Sequence, residues 1–251
     1  MNMINNQFVI RQFRSGLQSY ISATKHIGLW KSERSVIMTH AHLKDRILDL
    51  GCGTGRTTFA LHDLGYTELT GFDLTPEMIH VAREIAKTKE ISIPFIMGDA
   101  CDLPFPESSF DCVLFSFNGL TTIPARERRL LAIKEIFRVL ANGGLFIFTT
   151  YDRDGNKSYE NFWKNEKKKW EDGTQDKRLH EYGDLITSSK NEADPIYIHI
   201  PDQHSISAAL QSSGFSIVDT FIRNERFEES DIVKKFSGEC RFWIAQKLKH
   251  S

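Results

Sequence analysis

From Arg46 to Lys249, short runs of β-branched and aromatic residues alternate with longer stretches whose apolar positions recur every three or four residues. That alternation predicts strands wound with helices into a mostly parallel sheet. Arg46–Leu50, Leu69–Phe72, Ile93–Met97, Cys112–Phe117 and Leu145–Thr149 read as strands, the last apolar enough for burial on both faces. Helices are expected over Gly55–Leu64, after Thr75-Pro76 with Met78, Ile79, Ala82, Ile85 and Ala86 on one face, and over Ala125–Leu140 with Leu130, Ile133, Phe137 and Leu140 on one face. Asn142-Gly143-Gly144 is the expected stop of the third helix, because glycine takes left-handed backbone readily. The polar stretch Tyr151–Asn191, with Lys167-Lys168-Lys169-Trp170, interrupts the alternation, and Ile196–Ile200 reads as an extra strand in this insert. A helix near Asp202–Ser212 leads to two last strands, Phe215–Ile222 and Arg241–Gln246. Before Arg46, the spacing of Phe13, Leu17 and Tyr20 predicts helix. The expected layout is a single domain, with a helical cap over 1–45, a core over 46–150, an insert over 151–200 and a C-terminal helix and hairpin over 201–251.

A chain of 251 residues can bury its own core without staples. With 32 Lys and Arg against 33 Asp and Glu, the surface is not one that grips nucleic acid or anionic lipid as a whole. No stretch approaches 18 consecutive apolar residues, so no membrane span is expected, and Met1–Phe13 has no apolar run or small-residue cleavage site of an export signal. Cys52, Cys101, Cys112 and Cys240 form no C-x-x-C pair and suggest neither a metal site nor a disulfide framework; they read as free thiols of a cytoplasmic protein.

Candidate chemistry is concentrated in Ile47-Leu48-Asp49-Leu50-Gly51-Cys52-Gly53-Thr54-Gly55-Arg56-Thr57. A strand runs into three alternate glycines and then a helix, so backbone can approach a ligand where side chains would block it. Asp73, 22 residues beyond Gly51 and at the end of the second strand, is placed to accept both hydroxyls of a ribose. A nucleoside ligand follows. The spacing is G-x-G-x-G rather than the G-x-G-x-x-G that faces a pyrophosphate, and Asp49 beside the turn repels phosphate while suiting an ammonium and a sulfonium. S-adenosylmethionine carries both.

At this point the sequence resembles the class I S-adenosylmethionine-dependent methyltransferases, whose first motif reads like Leu48-Asp49-Leu50-Gly51-Cys52-Gly53-Thr54-Gly55. The resemblance extends through Gly98-Asp99-Ala100-Cys101-Asp102-Leu103-Pro104-Phe105, Phe110-Asp111-Cys112-Val113 and Arg138-Val139-Leu140-Ala141-Asn142-Gly143-Gly144. It implies a Rossmann-like, doubly wound seven-stranded sheet with a reversed C-terminal hairpin. It also implies roles: Asp49 and the backbone of Gly51, Cys52 and Gly53 at the methionine part, Gly55 for close approach, and Asp73 at the ribose diol. Leu74 and Met78 would flank the adenine, Asp99 and the N–H of Ala100 would meet its edge, and the Ser116 carbonyl would meet the ammonium, with Phe117 near the methyl.

Structural alternatives stand beside these roles: Asp49 as a cap for loop N–H groups, Asp73 as a cap for the next helix, Asp99 as a turn residue, Met78 as core, and the lysines near Lys167 as a solvated helix face. His199 and His204 are weighed as bases, but an isolated histidine is more often structural. No catalytic residue is assigned, since a sulfonium needs no activation and a base is required only for a protonated acceptor. Ser116-Phe117-Asn118-Gly119 is not the N/D-P-P-Y/F pattern of enzymes that methylate base or glutamine amino groups, and no basic, aromatic stripe suggests RNA. The N-terminal helix and the insert are expected to cover the cleft, with Tyr20, Trp30, Tyr151 and Trp163 around a small-molecule acceptor that takes the methyl on O or N. The rival readings are a non-catalytic binding module and a nicotinamide oxidoreductase; the glycine spacing, Asp49 and the lack of a Tyr-x-x-x-Lys pair weigh against the latter.

Overall fold

The computed structural model describes residues 3–155, 157–187 and 195–248. The parts of the predicted insert and of the final alternating stretch that fall on Asn156, residues 188–194 and residues 249–251 lie outside the described residues, as do Met1 and Asn2. The first apolar run is strand β1 (Ile47–Leu50), with every residue buried. It is followed by β2 (Leu69–Asp73), β3 (Phe95–Met97), β4 (Phe110–Phe115), β5 (Leu140–Thr150), β6 (Asp184–Thr187), β7 (Ile196–His199), β8 (Phe215–Ile222) and β9 (Arg241–Lys247). The helices are α1 (Asn6–Ser15), α2 (Leu17–His26), α3 (Lys31–His40), α4 (Arg56–Asp63), α5 (Pro76–Thr88), α6 (Arg126–Val139), α7 (Glu160–Glu171), α8 (Gln203–Ser212), α9 (Arg223–Arg226) and α10 (Asp231–Phe236). The seven-stranded sheet has the order β3-β2-β1-β4-β5-β9-β8, with β9 antiparallel to both neighbours, as the expected Rossmann-like fold requires.

Successive residues of β1 point to opposite faces, which separates two cores. Ile47 joins Ile37, Leu61, Ile79 and Phe95 on one side, while Leu48 joins Phe72, Ile133, Ile136 and Leu210 on the other. Because β1 pairs with β2 on one edge and β4 on the other, the winding reverses at the β1/β4 boundary. A crevice opens there at the carboxyl ends of the strands.

Several local expectations are corrected. The helix predicted to reach Leu140 ends at Val139, and Leu140 is already extended, at φ −73° and ψ 137°. A cation stops it: the Lys247 ammonium donates to the carbonyls of Phe137 and Leu140, each at 2.7 Å. Asn142-Gly143-Gly144 instead lies within β5, inside the register shift against β4 where Phe110 pairs with Leu140 and Cys112 with Leu145. A Cβ on Gly144 would sit 2.8 Å from the Ala141 carbonyl, so glycine there serves strand irregularity. The fourth strand stops at Phe115, two residues early, and the predicted N-terminal helix is broken at Gly16 into α1 and α2.

The N-terminal helices are fastened to the core by buried charge. Glu229 accepts the N–H groups of Lys31 and Ser32 and the Ser32 hydroxyl at 2.6–3.0 Å, which places a carboxylate at the amino end of α3. Glu33 grips the Arg56 guanidinium through two bonds of 2.7 Å, tying α3 to the first residue of α4.

Candidate active site

The glycine turn is held from within. The N–H groups of Gly51 and Cys52 both donate to the Phe72 carbonyl, at 2.7 and 3.1 Å, and the Gly53 N–H donates to Asp73 Oδ2 at 2.9 Å. These donors are therefore committed, and what the turn offers a ligand is room. Gly51 (φ +68°) has no space for a side chain, since a Cβ would lie 2.7 Å from the Phe115 ring. Gly53 (φ +56°) differs: its added Cβ would meet nothing nearer than the Met78 sulfur at 4.0 Å and would point into open cleft. Gly55 (φ +89°) does not line the cleft; a Cβ there would strike the Phe59 ring at 2.5 Å, so this glycine starts α4 and admits Phe59.

Asp73 Oδ1 accepts from the Thr75 N–H at 2.7 Å, so both carboxylate oxygens are aimed, and each keeps a lone pair for a ligand hydroxyl. The cap role and a ribose role are thus compatible in one side chain. Burial raises the Asp73 pKa above the usual carboxylate range. Asp49 lies beneath the turn rather than in the cleft lining; it is 2% exposed and accepts from the Thr58 hydroxyl at 2.6 Å. Burial pushes its pKa up to about 7, against the lowering effects of that bond and of Arg56. Burial, then the charges of Asp73 and Asp49, hold the Cys52 thiol well above its ordinary value and leave it unreactive.

Leu74, Met78, Asp99, Ala100, Ser116 and Phe117 all line the same cleft. Burial works against ionisation of Asp99, but the Cys101 N–H, the Asn6 amide and Arg128 outweigh it and hold its pKa low. Beyond Phe115 the chain turns through two consecutive left-handed residues, Phe117 (φ +53°) and Asn118 (φ +63°). Such conformations cost about 1–3 kcal/mol each and persist where surroundings enforce them. Here the Asn118 N–H donates to Thr149 Oγ1 at 2.9 Å, and the Phe117 ring stacks on Phe236 with centroids 4.9 Å apart.

The cover of the cleft is not the one expected from sequence. Asn6, Val9 and Phe13 of α1 and Tyr20 of α2 line it, whereas the insert's aromatic residues do not. The insert acts one layer out: Tyr197 and Leu179 pack with Ile4 and Val9, and the Tyr197 N–H donates to Gln12 Oε1 at 2.9 Å. Of the four acceptor-site candidates, only Tyr20 is in the cleft, with its ring 6.3 Å from Phe117 and 6.2 Å from Phe236. Trp30 is 1% exposed and lies behind Phe117, with the guanidinium carbons of Arg56 and Arg223 each 5.0 Å from its ring. Tyr151 and Trp163 line a second cavity.

His199 is likewise committed elsewhere: its Nδ1 is 2.8 Å from Asp184 Oδ1, which also accepts from the Tyr197 hydroxyl at 2.9 Å. Ligand atoms of Glu181, Asp184 and His199 lie within 4.8 Å of one another, but Glu181 is bound by the Arg129 guanidinium and the other two bond each other. This cluster braces the insert against α6. His204 is exposed on α8. Sequence reasoning missed Asn6 and Val9 of the cleft, and Phe236 behind Phe117; Phe13 carried a periodic signal, whereas Asn6 is a polar residue in a polar stretch and carried none.

The site is thus a crevice at a topological switch point, with a side-chain-free turn over a buried acid and a second acid aimed beside it. Residues 47–144 match the family described as a methyltransferase domain. The chain is 38% identical over 136 residues to a demethylmenaquinone methyltransferase of Staphylococcus haemolyticus, an alignment covering 52% of this chain and 53% of that enzyme. The chain spans about half the length of that curated relative. An uncharacterized protein of Methanocaldococcus jannaschii is 28% identical over 225 residues, 87% of this chain and 82% of that one. Among solved structures, a methyltransferase of Methanosarcina mazei covers 89% of this chain and all of its own, with a TM-score of 0.69 at 22% identity. The [4+2]-cyclase SpnF covers 100% of this chain and 99% of its own, with a TM-score of 0.68 at 17% identity. The fold is thus shared between proteins named for different chemistries.

Proposed function

We propose that this chain transfers the methyl group of S-adenosylmethionine to an oxygen or nitrogen nucleophile of a small-molecule acceptor. The observation that carries the reading is the open space over Gly53, between the buried Asp49 and the aimed Asp73. The cofactor supplies a sulfonium-bound methyl that a nucleophile displaces directly. In this reading Asp73 accepts the ribose hydroxyls, Leu74 and Met78 enclose the adenine, and the Ser116 carbonyl faces the ammonium. Asp49 acts through the thin floor of the turn, where low dielectric strengthens its attraction for a cation. Tyr20, Phe117 and Phe236 exclude water from the transfer region and leave an apolar wall for the acceptor. Among the described residues no helix is long and apolar enough to cross a membrane.

Incubation with labelled S-adenosylmethionine and a panel of phenols, amines and hydroxyquinones is expected to yield at least one O- or N-methylated product. The panel includes a demethylmenaquinone analogue because of the Staphylococcus relative's name. Binding of the cofactor without transfer to any member would favour the binding-module reading, and exclusive methylation of carbon would refute the proposed nucleophile.

The acids give this reading a pH signature. The folded state keeps a proton on Asp49 up to about pH 7, whereas an unfolded chain releases it near the ordinary value of 3.8, so stability of the unliganded protein falls as pH rises through that window. A cationic ligand prefers the ionised carboxylate, so its affinity is expected to rise by up to about tenfold per pH unit below about pH 7, with proton release on binding. Calorimetry near pH 6 in two buffers of different ionisation enthalpy measures that release; no buffer dependence would contradict the role given to Asp49.

A further inference from the structure

Where the chain leaves the sheet after Thr150, a second cavity of about 490 Å³ opens, between Tyr151, Leu185, Ile222, Cys240 and the amino-terminal half of α7. That volume is in the range of small-molecule sites, roughly 300–1,000 Å³. We propose that it is a binding site for an uncharged aromatic molecule bearing a hydroxyl or carbonyl oxygen.

Four aromatic side chains face it, and two of them are spread to solvent at its rim, Tyr159 at 56% and Phe162 at 41% exposure. Trp163 is the fixed platform. It meets Phe162 and Tyr182 edge-on, with centroids 5.1 and 6.0 Å apart, and the Arg153 guanidinium lies 5.7 Å from its ring. A rigid aromatic wall binds a flat ligand with little loss of side-chain freedom.

The charge pattern selects a neutral occupant. Asp152 is bound by Arg241 at 2.7 Å and Glu239 by Arg223 at 3.3 Å, so both carboxylates of the lining are already balanced. Burial pushes the Cys240 thiol up to about 12 and raises the Tyr151 phenol, so both stay protonated. An ion entering would lose its hydration and find no free counter-charge. Tyr151 Oη has no hydrogen-bond partner among the described residues, which leaves one donor for a ligand oxygen.

This site shares no lining residue with the cofactor cleft, and one chain segment links the two. The segment 236–240 gives Phe236 to the stack on Phe117, while Gly238, Glu239 and Cys240 line the second cavity, and the Cβ position of Gly238 is 3.3 Å from the Tyr151 ring. The inference holds whether or not the chain methylates anything.

The test is calorimetric titration of the full chain with 1-naphthol, an uncharged bicyclic probe with one hydroxyl, in the presence of saturating S-adenosylhomocysteine. Saturable one-to-one binding is expected. Leu185→Trp, which fills the cavity, is expected to weaken it at least about tenfold while leaving uptake of S-adenosylhomocysteine intact, and Tyr151→Phe to weaken it about fivefold for the lost hydrogen bond. Naphthalene-1-sulfonate is expected to bind at least about tenfold more weakly, for want of a counter-charge. Absence of saturable naphthol binding, equal affinity for Leu185→Trp or Tyr151→Phe, or preference for the sulfonate would each overturn the proposal. Failure of S-adenosylhomocysteine to bind at all would count against the methyltransferase reading instead, because naphthol binding is then measured without it.

Discussion

Replacing Glu33 by alanine is expected to lower stability by about 3–5 kcal/mol, which for a chain of this size is a fall of roughly 6–20 °C in Tm. Glu33 is 2% exposed, and its two oxygens hold both terminal nitrogens of Arg56, whose side chain is 10% exposed. Removing the acid strands a guanidinium whose one remaining hydrogen bond among the described residues is to the Gly28 carbonyl, at 2.6 Å. It also frees the Trp30 N–H, which Glu33 accepts at 3.0 Å, and loosens the ring that Arg56 and Arg223 flank. Glu33→Gln, which keeps an acceptor but not the charge, should fall between alanine and the parent. Thermal and urea unfolding measure the loss, and a change below about 1 kcal/mol would show that the Glu33–Arg56 pair contributes little to holding α3. Arg56 begins the helix after the glycine turn, so this pair also connects the N-terminal cap with the cleft.

Gly53→Asn is expected to weaken binding of S-adenosylhomocysteine by at least about thirtyfold, which is about 2 kcal/mol, with only a small change in unliganded stability. The asymmetry follows from geometry. Asparagine tolerates the left-handed backbone that position 53 requires better than other side chains do, and its Cβ meets no protein atom closer than 4.0 Å. The rest of the side chain then occupies cleft. The same change at Gly51 would drive a Cβ to 2.7 Å from Phe115 and unfold the turn, which is why Gly53 is the informative position. Unchanged affinity in a folded Gly53→Asn protein would move the ligand away from the turn.

The strands and most helices were legible because their signals are local. The alternation of apolar runs located the seven-stranded sheet, and Gly51, Gly53 and Asp73 announced the cleft through spacing alone. What could not be read were contacts between distant segments. Lys247 ends α6 from more than 100 positions away, so the glycines at 143 and 144 drew the stop signal to themselves. Residue type alone groups Trp30, Tyr151 and Trp163 with Tyr20, yet one is core and two face another cavity, because aromatic side chains serve packing and recognition alike. The expected lid failed for a related reason: a polar, interrupted segment looks like a cover, whereas the hydrogen bond from Tyr197 to Gln12 shows it supporting α1, which is the cover.

Titration of the purified chain with S-adenosylmethionine, set beside an identical titration with NAD, addresses the main contention most directly. A single saturable site for the sulfonium compound is expected, with no heat from the dinucleotide and a rise in Tm of roughly 5–11 °C once the ligand exceeds its Kd about a hundredfold. Uptake of NAD alone, or of neither compound, would contradict it.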